Sequence, residues 1–191
     1  GPPVNESLKT VGDYNEINSH PIVQLDDGRY FVPVSFLVFE AVYETPFYWM
    51  MKDDAYRAHV GTHRGEIGEQ LAYNFLHKVF GEGRVYKSVK VKTLLSESST
   101  TRREDKTDID VLCILGSKAL CVQVKSKRLT ELTRKGSDEA LQRDFKAAVQ
   151  DAYDQGIEAR KQILSRDAKF LDQDGNEIIL SEKIDEVYIM G

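Results

Sequence analysis

Polar and apolar positions alternate most regularly in the middle of the chain. Val85, Lys87, Val89 and Val91 recur at spacing two, which predicts a strand over 85–94. Two more strands follow, 107–115 and 118–126, joined by Gly116-Ser117. Upstream, Ile67, Leu71, Phe75 and Val79 recur four apart and predict a helix over about 64–80, closed by Gly81-Glu82-Gly83. Downstream, Ser137 can cap a long helix that begins with Asp138 and Glu139, acids that suit a helix N-terminus. Its apolar stripe is Leu141, Phe145, Ala148, Ala152, Ala159 and Ile163. Residues 170–180 read as a short hairpin turning at Asp174-Gly175-Asn176, and 184–190 as a last strand. In the N-terminal third, 21–25 and 29–34 flank Asp26-Asp27-Gly28, a hairpin signal. The aromatic run over 35–60 reads as two short helices broken near Pro46.

This order predicts an α/β layered domain over 61–191, an N-terminal hairpin plus helical extension over 19–60, and a flexible polar segment over 1–18. Gly1-Pro2 reads as a tag remnant, and the chain as a piece of a longer parent protein. The aromatic extension has three readings: a small core, a stacking platform for bases, or an anchor for a protein partner.

The central hairpin carries the chemistry. Gly-X is a two-residue type II′ turn signal. Counting outward from Leu115 opposite Lys118 places Asp110 opposite Gln123, and Asp108 opposite Lys125. Strict alternation then puts Asp108, Asp110, Leu112 and Ile114 on one face with Ala119, Cys121, Gln123 and Lys125. Ile109, Val111, Cys113 and Leu115 take the other face, with Leu120, Val122 and Val124. The first face is polar only at the end away from the turn. Polar groups buried there are costly without partners. One reading is a pair of cross-strand ion pairs at a frayed sheet edge. The other is a metal site, with oxygen ligands from the Asp110 carboxylate, the Gln123 amide and the Val124 carbonyl. Such ligands suit Mg²⁺ or Mn²⁺. Lys125 would then stabilise a phosphate or orient water.

Three stretches together resemble the PD-(D/E)XK nuclease superfamily, in its Mrr-like and nuclease-related branches with a Gln-x-Lys motif. They are Gly65-Glu66-Ile67-Gly68-Glu69, Thr107-Asp108-Ile109-Asp110-Val111 and Gln123-Val124-Lys125. The resemblance covers roughly 61–190. It implies a restriction-endonuclease-like core of helix, three antiparallel strands, helix and strand. It also implies hydrolysis of nucleic-acid phosphodiesters with a divalent metal, DNA being favoured, and a role in phage defence. Carried over by position, Asp110 is the central metal ligand and Lys125 the motif lysine. Glu69 matches the helix acid, with Glu66 and Asp108 as additional candidates. Gln123 stands where the superfamily usually has an acid, which removes a negative charge from the site. Ile109 stands where the superfamily's name has Pro. A fold that has lost catalysis and only binds or scaffolds nucleic acid is the alternative, and a homodimer is compatible with either.

Charge first argues against a nucleic-acid partner, since the net charge of the 191 residues is −5. Its distribution reverses that inference. Residues 84–135 carry 13 basic and 6 acidic side chains. Arg102, Arg103 and Lys106 precede Asp108, while Lys127, Arg128, Arg134 and Lys135 follow Lys125. In an antiparallel hairpin those two loops emerge at the same end, where they would hold phosphates. Cys113 and Cys121 are too few for a disulfide framework and fall on opposite faces, so they should be unpaired. No apolar run approaches membrane-spanning length. A cytoplasmic protein with no membrane partner is expected.

Overall fold

The computed structural model describes residues 8–10, 13, 15–18, 20–93, 107–165, 168–180 and 183–191. The chain divides into two compact units, 1–63 with 129–144 and 64–128 with 145–191.

In the first unit, β1 (Val23–Gln24) and β2 (Tyr30–Phe31) pair antiparallel about the predicted turn. Helix α1 (Ser35–Lys52) then runs straight through Pro46, so the expected break does not occur. A proline removes one N–H and crowds one carbonyl, a penalty that seventeen other helical residues here outweigh. Phe36, Phe39, Tyr43 and Trp49 stay exposed along it. Helix α2 (Val60–Phe80) begins four residues before the predicted start. The His63 N–H bonds the His59 carbonyl at 3.0 Å and the Tyr56 hydroxyl meets His63 Nδ1 at 2.6 Å, which ties down a first turn weak in helix formers. The segment before the next helix carries α3 (Glu131–Arg134). It is pinned by buried Asp144, whose Oδ2 accepts the Thr130 N–H at 2.6 Å and the Thr133 hydroxyl at 2.7 Å. Ser137 caps α4 (Asp138–Phe145) as predicted, its Oγ accepting the Ala140 N–H at 3.3 Å.

The second unit is built on a five-stranded sheet in the order β6-β3-β4-β5-β7. The strands are β3 (Val85–Thr93), β4 (Thr107–Leu115), β5 (Lys118–Val122), β6 (Ala168–Leu171) and β7 (Glu186–Met190). All neighbours are antiparallel except β5 and β7, which are parallel and therefore need the helical crossover between them. Gly116 has φ 57°, a value glycine adopts without strain, and Ser117 has negative φ. That matches the deduced type II′ turn, and the register runs as counted from Leu115↔Lys118 to Val111↔Val122.

Three expectations need correction. Strand β5 stops at Val122 instead of 126: the Gln123 N–H still reaches β7 at the Met190 carbonyl, but the Val124 N–H, instead of continuing the β4 ladder, donates to the Asp110 carboxylate. The 170–180 hairpin forms about Asp174-Gly175 with the bridge Leu171↔Glu177, but its second arm is too short to make a strand, and its first arm also joins the free edge of β3. Strict alternation also fails. Ile109 packs with Leu112, Cys121, Val89 and Val91, whereas Val111 and Cys113 pack with Val85 and Val122. Side chains thus change faces in both β3 and β4 at the level of Ser88 and Asp110.

One helix covers each face. A π-helical turn (Lys146–Gln150) leads from α4 into α5 (Asp151–Ser165). The wider turn resets the helical phase. Ala152, Ala159 and Ile163 of the predicted stripe are buried, together with Gly156, while Leu141 and Phe145, before the end of the turn, are exposed. On the other face, Ala72, Tyr73, Leu76 and Phe80 of α2 pack on Val85, Val111, Cys113 and Val122. The stripe that revealed this helix points outward, with Ile67, Leu71, Phe75 and Val79 between 51% and 77% exposed. Cys113 and Cys121 are buried, unpaired and in different core clusters, as expected. Burial raises their thiols to about 11 and about 12.

Candidate active site

Asp110 stands where the sheet opens. The β3–β4 ladder pairs Lys87 with Val111 and resumes at Val89 with Ile109, passing over Ser88 and Asp110. On the other side, the β4–β5 ladder has already ended at Val111. Asp110 therefore has no ladder partner on either flank. Its Oδ2 instead accepts the Val124 N–H at 2.6 Å, a short charge-assisted bond that ties the carboxylate to the segment after β5 that bears Gln123 and Lys125. Desolvation pushes the Asp110 pKa up, opposed by that N–H and by the Lys125 charge.

Gln123 is only 2% exposed, so its amide needs partners. Its Nε2 donates to the Asp108 carbonyl at 2.8 Å, bridging the gap where ladder bonds have stopped. Lys125 is exposed, and its Nζ donates to Gln155 Oε1 of α5 at 2.8 Å. Asp108 is exposed, and no ion pair joins it to Lys125 among the described residues. The frayed-edge reading, with Asp108 opposite Lys125 as an ion pair, is therefore not what the lysine does.

Helix α2 brings the second carboxylate. Glu69 is half-buried, and its pKa is raised first by desolvation and then by the charge of Asp110. Glu66, one turn earlier, is exposed and adds a weaker repulsion. Gly68 explains how the helix reaches this position. A Cβ there would lie 3.1 Å from Val124 Cγ1, so a side chain would press on the residue whose N–H holds Asp110.

Glu69, Asp110, Gln123, Val124 and Lys125 thus come together in the second unit. The remaining candidates do not all join them. Arg102, Arg103 and Lys106 lie outside the described residues. Lys127 and Arg128 follow the site directly in the same unit, whereas Arg134 and Lys135 belong to the first unit. Lys135 there bonds Asp13 at 2.8 Å, which holds the Asp13 carboxyl well below its usual range. Sequence reasoning missed Gln155 and Ser88. Gln155 carries no motif, but it is revealed by its place on the crossover helix. Ser88 sits in what reads as unbroken alternation, and only its φ of 51° sets it apart.

The donor set is chemically narrow. It offers carboxylate, amide and backbone oxygens with no histidine or thiolate, which suits a hard cation. The charge of Asp110 raises the Glu69 pKa, a repulsion that a cation between the two carboxylates would relieve. Among the described residues, no three of His, Cys, Asp and Glu gather into a metal cluster, so the neutral oxygens of Gln123 and Val124 would have to complete the shell. No helix among the described residues is long and apolar enough to cross a membrane.

No curated protein and no solved structure matches the chain. Residues 64–183, well over half of the sequence, match the NERD family, the nuclease-related domain. The mixed five-stranded sheet with its flanking helices agrees with a restriction-endonuclease-like fold. The chain belongs to the nuclease-related domain family, within the PD-(D/E)XK-like nuclease superfamily.

Proposed function

We propose that the second unit is a divalent-metal-dependent nuclease that hydrolyses DNA phosphodiester bonds, most simply as an endonuclease. The observation that carries this reading is the position of Asp110. Its carboxylate leaves the sheet ladder, is held by the Val124 N–H, and shares a desolvated region with Glu69. Asp110, Glu69, the Gln123 amide oxygen and the Val124 carbonyl would hold Mg²⁺ or Mn²⁺. When bound, such an ion polarises the scissile phosphate and lowers the pKa of a coordinated water.

The chain's own residues supply the rest. Lys125, exposed and steered by Gln155, places a compact cation where negative charge grows in the transition state. Gln123 keeps β4 and β5 registered beyond the last ladder pair, so that the two ligand-bearing strands do not splay. Lys127 and Arg128 follow with positive charge for the phosphate backbone, a contribution that would weaken steeply with salt.

The test is incubation with plasmid, linear and single-stranded DNA in Mg²⁺, Mn²⁺ or EDTA, beside Asp110→Ala and Lys125→Ala. Cleavage should need the metal and fall by about 10²–10³-fold in either variant, with DNA binding retained. Wild-type rates in the variants would overturn the assignment.

Gln123 supports a second reading. With a neutral amide in place of an acid and no three-acid cluster among the described residues, the unit would bind nucleic acid without cutting it. Calorimetry separates the two. Salt-sensitive DNA binding without Mg²⁺ or Mn²⁺ uptake would favour the binding module.

A further inference from the structure

Ser88 is the single non-glycine residue with positive φ among the described residues, at 51°. It lies in the middle of β3, where a left-handed residue is out of place. For L-residues other than glycine, asparagine and aspartate, that region is disfavoured because Cβ crowds the backbone. The location is specific. Ser88 falls opposite Asp110 in the β3–β4 count, and the ladder passes over both residues while pairing those on each side. At the same level both strands exchange faces. Val85 packs on the α2 side and Val89 on the α5 side, and their ladder partners Cys113 and Ile109 divide the same way. An undistorted β3 would keep Val85, Lys87, Val89 and Val91 on one face and would pair with β4 without a gap. Backbone outliers of this kind persist where the surrounding structure holds them, and they gather at functional sites.

We propose that Ser88 is a positioning residue for Asp110: its left-handed backbone interrupts the β3–β4 ladder at that one level, which lets the Asp110 carboxylate turn to the Val124 N–H. The consequence for catalysis rests on the metal-site reading above; the placement of the carboxylate does not. What matters at position 88 is backbone conformation, not the hydroxyl. Ser88→Gly and Ser88→Asn tolerate positive φ and remove the hydroxyl. Ser88→Thr and Ser88→Val carry a branched Cβ that disfavours it, and Thr keeps the hydroxyl.

The experiment reads the Val124 amide by NMR at fixed pH, through its chemical shift and its hydrogen-exchange protection. Asp110→Ala supplies the reference for a lost bond. A fold that is merely less stable, but has Asp110 in place, would keep the Val124 shift. The expected result is a wild-type Val124 signal in the Gly and Asn variants and a shift toward the Asp110→Ala value in Thr and Val. Mn²⁺ affinity, measured in parallel, should fall about 10–100-fold in Thr and Val only. If Val does not fold, Thr against Asn decides the question. A wild-type Val124 signal in Thr, or equal loss in Gly, Asn and Thr, overturns the proposal. If the Val124 signal follows the expected order while the wild-type protein takes up no Mn²⁺, the positioning role stands and the nuclease reading falls.

Discussion

Helix α5 meets the sheet through Ala152, Gly156, Ala159 and Ile163, all buried, whereas α2 meets it through Ala72, Tyr73, Leu76 and Phe80, none of them fully covered. Small residues let the α5 backbone come close, and its packing is dense. A Cβ on Gly156 would lie 2.3 Å from Ile189 Cγ2 of β7. Helix α2 shows its most regular apolar stripe to the outside and brings Glu69 toward Asp110 from the inside. The difference suggests a division of labour. One helix anchors the sheet, and the other carries site chemistry on a less tightly buried support.

The sharpest way to break that comparison is the same substitution in both helices. Glycine to alanine gains about 1 kcal/mol of helix propensity at either position. At Gly156 the overlap with Ile189 should outweigh that gain, for a net loss of about 1–3 kcal/mol. For a chain of this size that is a drop of about 2–4 °C in Tm per kcal/mol, read by thermal melts. Ile189→Ala in the same protein should recover part of the loss, since the two sites share one contact. Gly156→Ala with an unchanged Tm would remove the basis for calling α5 the anchor.

At Gly68 the expected outcome is different in kind. The 3.1 Å approach to Val124 needs only a small shift, so propensity and crowding nearly cancel in stability. Val124, however, carries the N–H that holds Asp110. Gly68→Ala should therefore lower cleavage by about 10-fold through the metal site while Tm stays within a degree or two of wild type. Gln155 sharpens the comparison from the other side, because it is the point where α5 reaches the chemistry. Gln155→Ala should cost a few-fold in kcat by releasing Lys125, with stability within about 0.5 kcal/mol, as for exposed positions generally. A large Tm change would assign Gln155 to packing instead.

Much of this arrangement was legible in the residues. The Gly116-Ser117 turn set the register, and counting from it brought Asp110, Gln123 and Lys125 to one end of one hairpin, which the geometry confirms as far as Val111↔Val122. What escaped the reading has physical causes. Period-two counting assumes that every residue stays in the β region, and Ser88 does not. A regular stripe marks the helix over 64–80 correctly, yet Ile67, Leu71, Phe75 and Val79 face outward, because a period reveals a helix without saying which side is buried. The π turn at Lys146–Gln150 leaves Ala152, Ala159 and Ile163 buried as the stripe predicts but puts α4 out of phase with it, so that Ala140 and Asp144 are buried in place of Leu141 and Phe145, with no composition signal at all. Of the two readings for Lys125, the register offers Asp108 as a partner, but its amine lies on Gln155, thirty residues on, a long-range contact that no local motif encodes.

The last expected effect concerns pH, and its sign distinguishes a site acid from a structural one. Desolvation foremost raises the folded-state pKa of both Glu69 and Asp110 from its ordinary value. Between the unfolded and folded pKa values the native state holds more protons than the unfolded chain, so stability must fall as pH rises through that window. Their favourable contribution is complete below about pH 4, near the unfolded carboxylate values, and is lost at neutral pH. Structural carboxylates such as Asp172, lowered by hydrogen bonds from Asn176, behave in the opposite sense and lose stability in acid. Asp110→Asn should therefore raise Tm by a few degrees at pH 7 and by nothing at pH 4, while abolishing cleavage. Glu69→Gln should do the same more weakly, since Glu69 also feels the opposing charge of Lys87. A protein that instead became less stable at pH 7 on losing the Asp110 charge would place that carboxylate with the structural bonds of the sheet, and the distinction between an anchoring helix and a chemistry-bearing one would lose its centre.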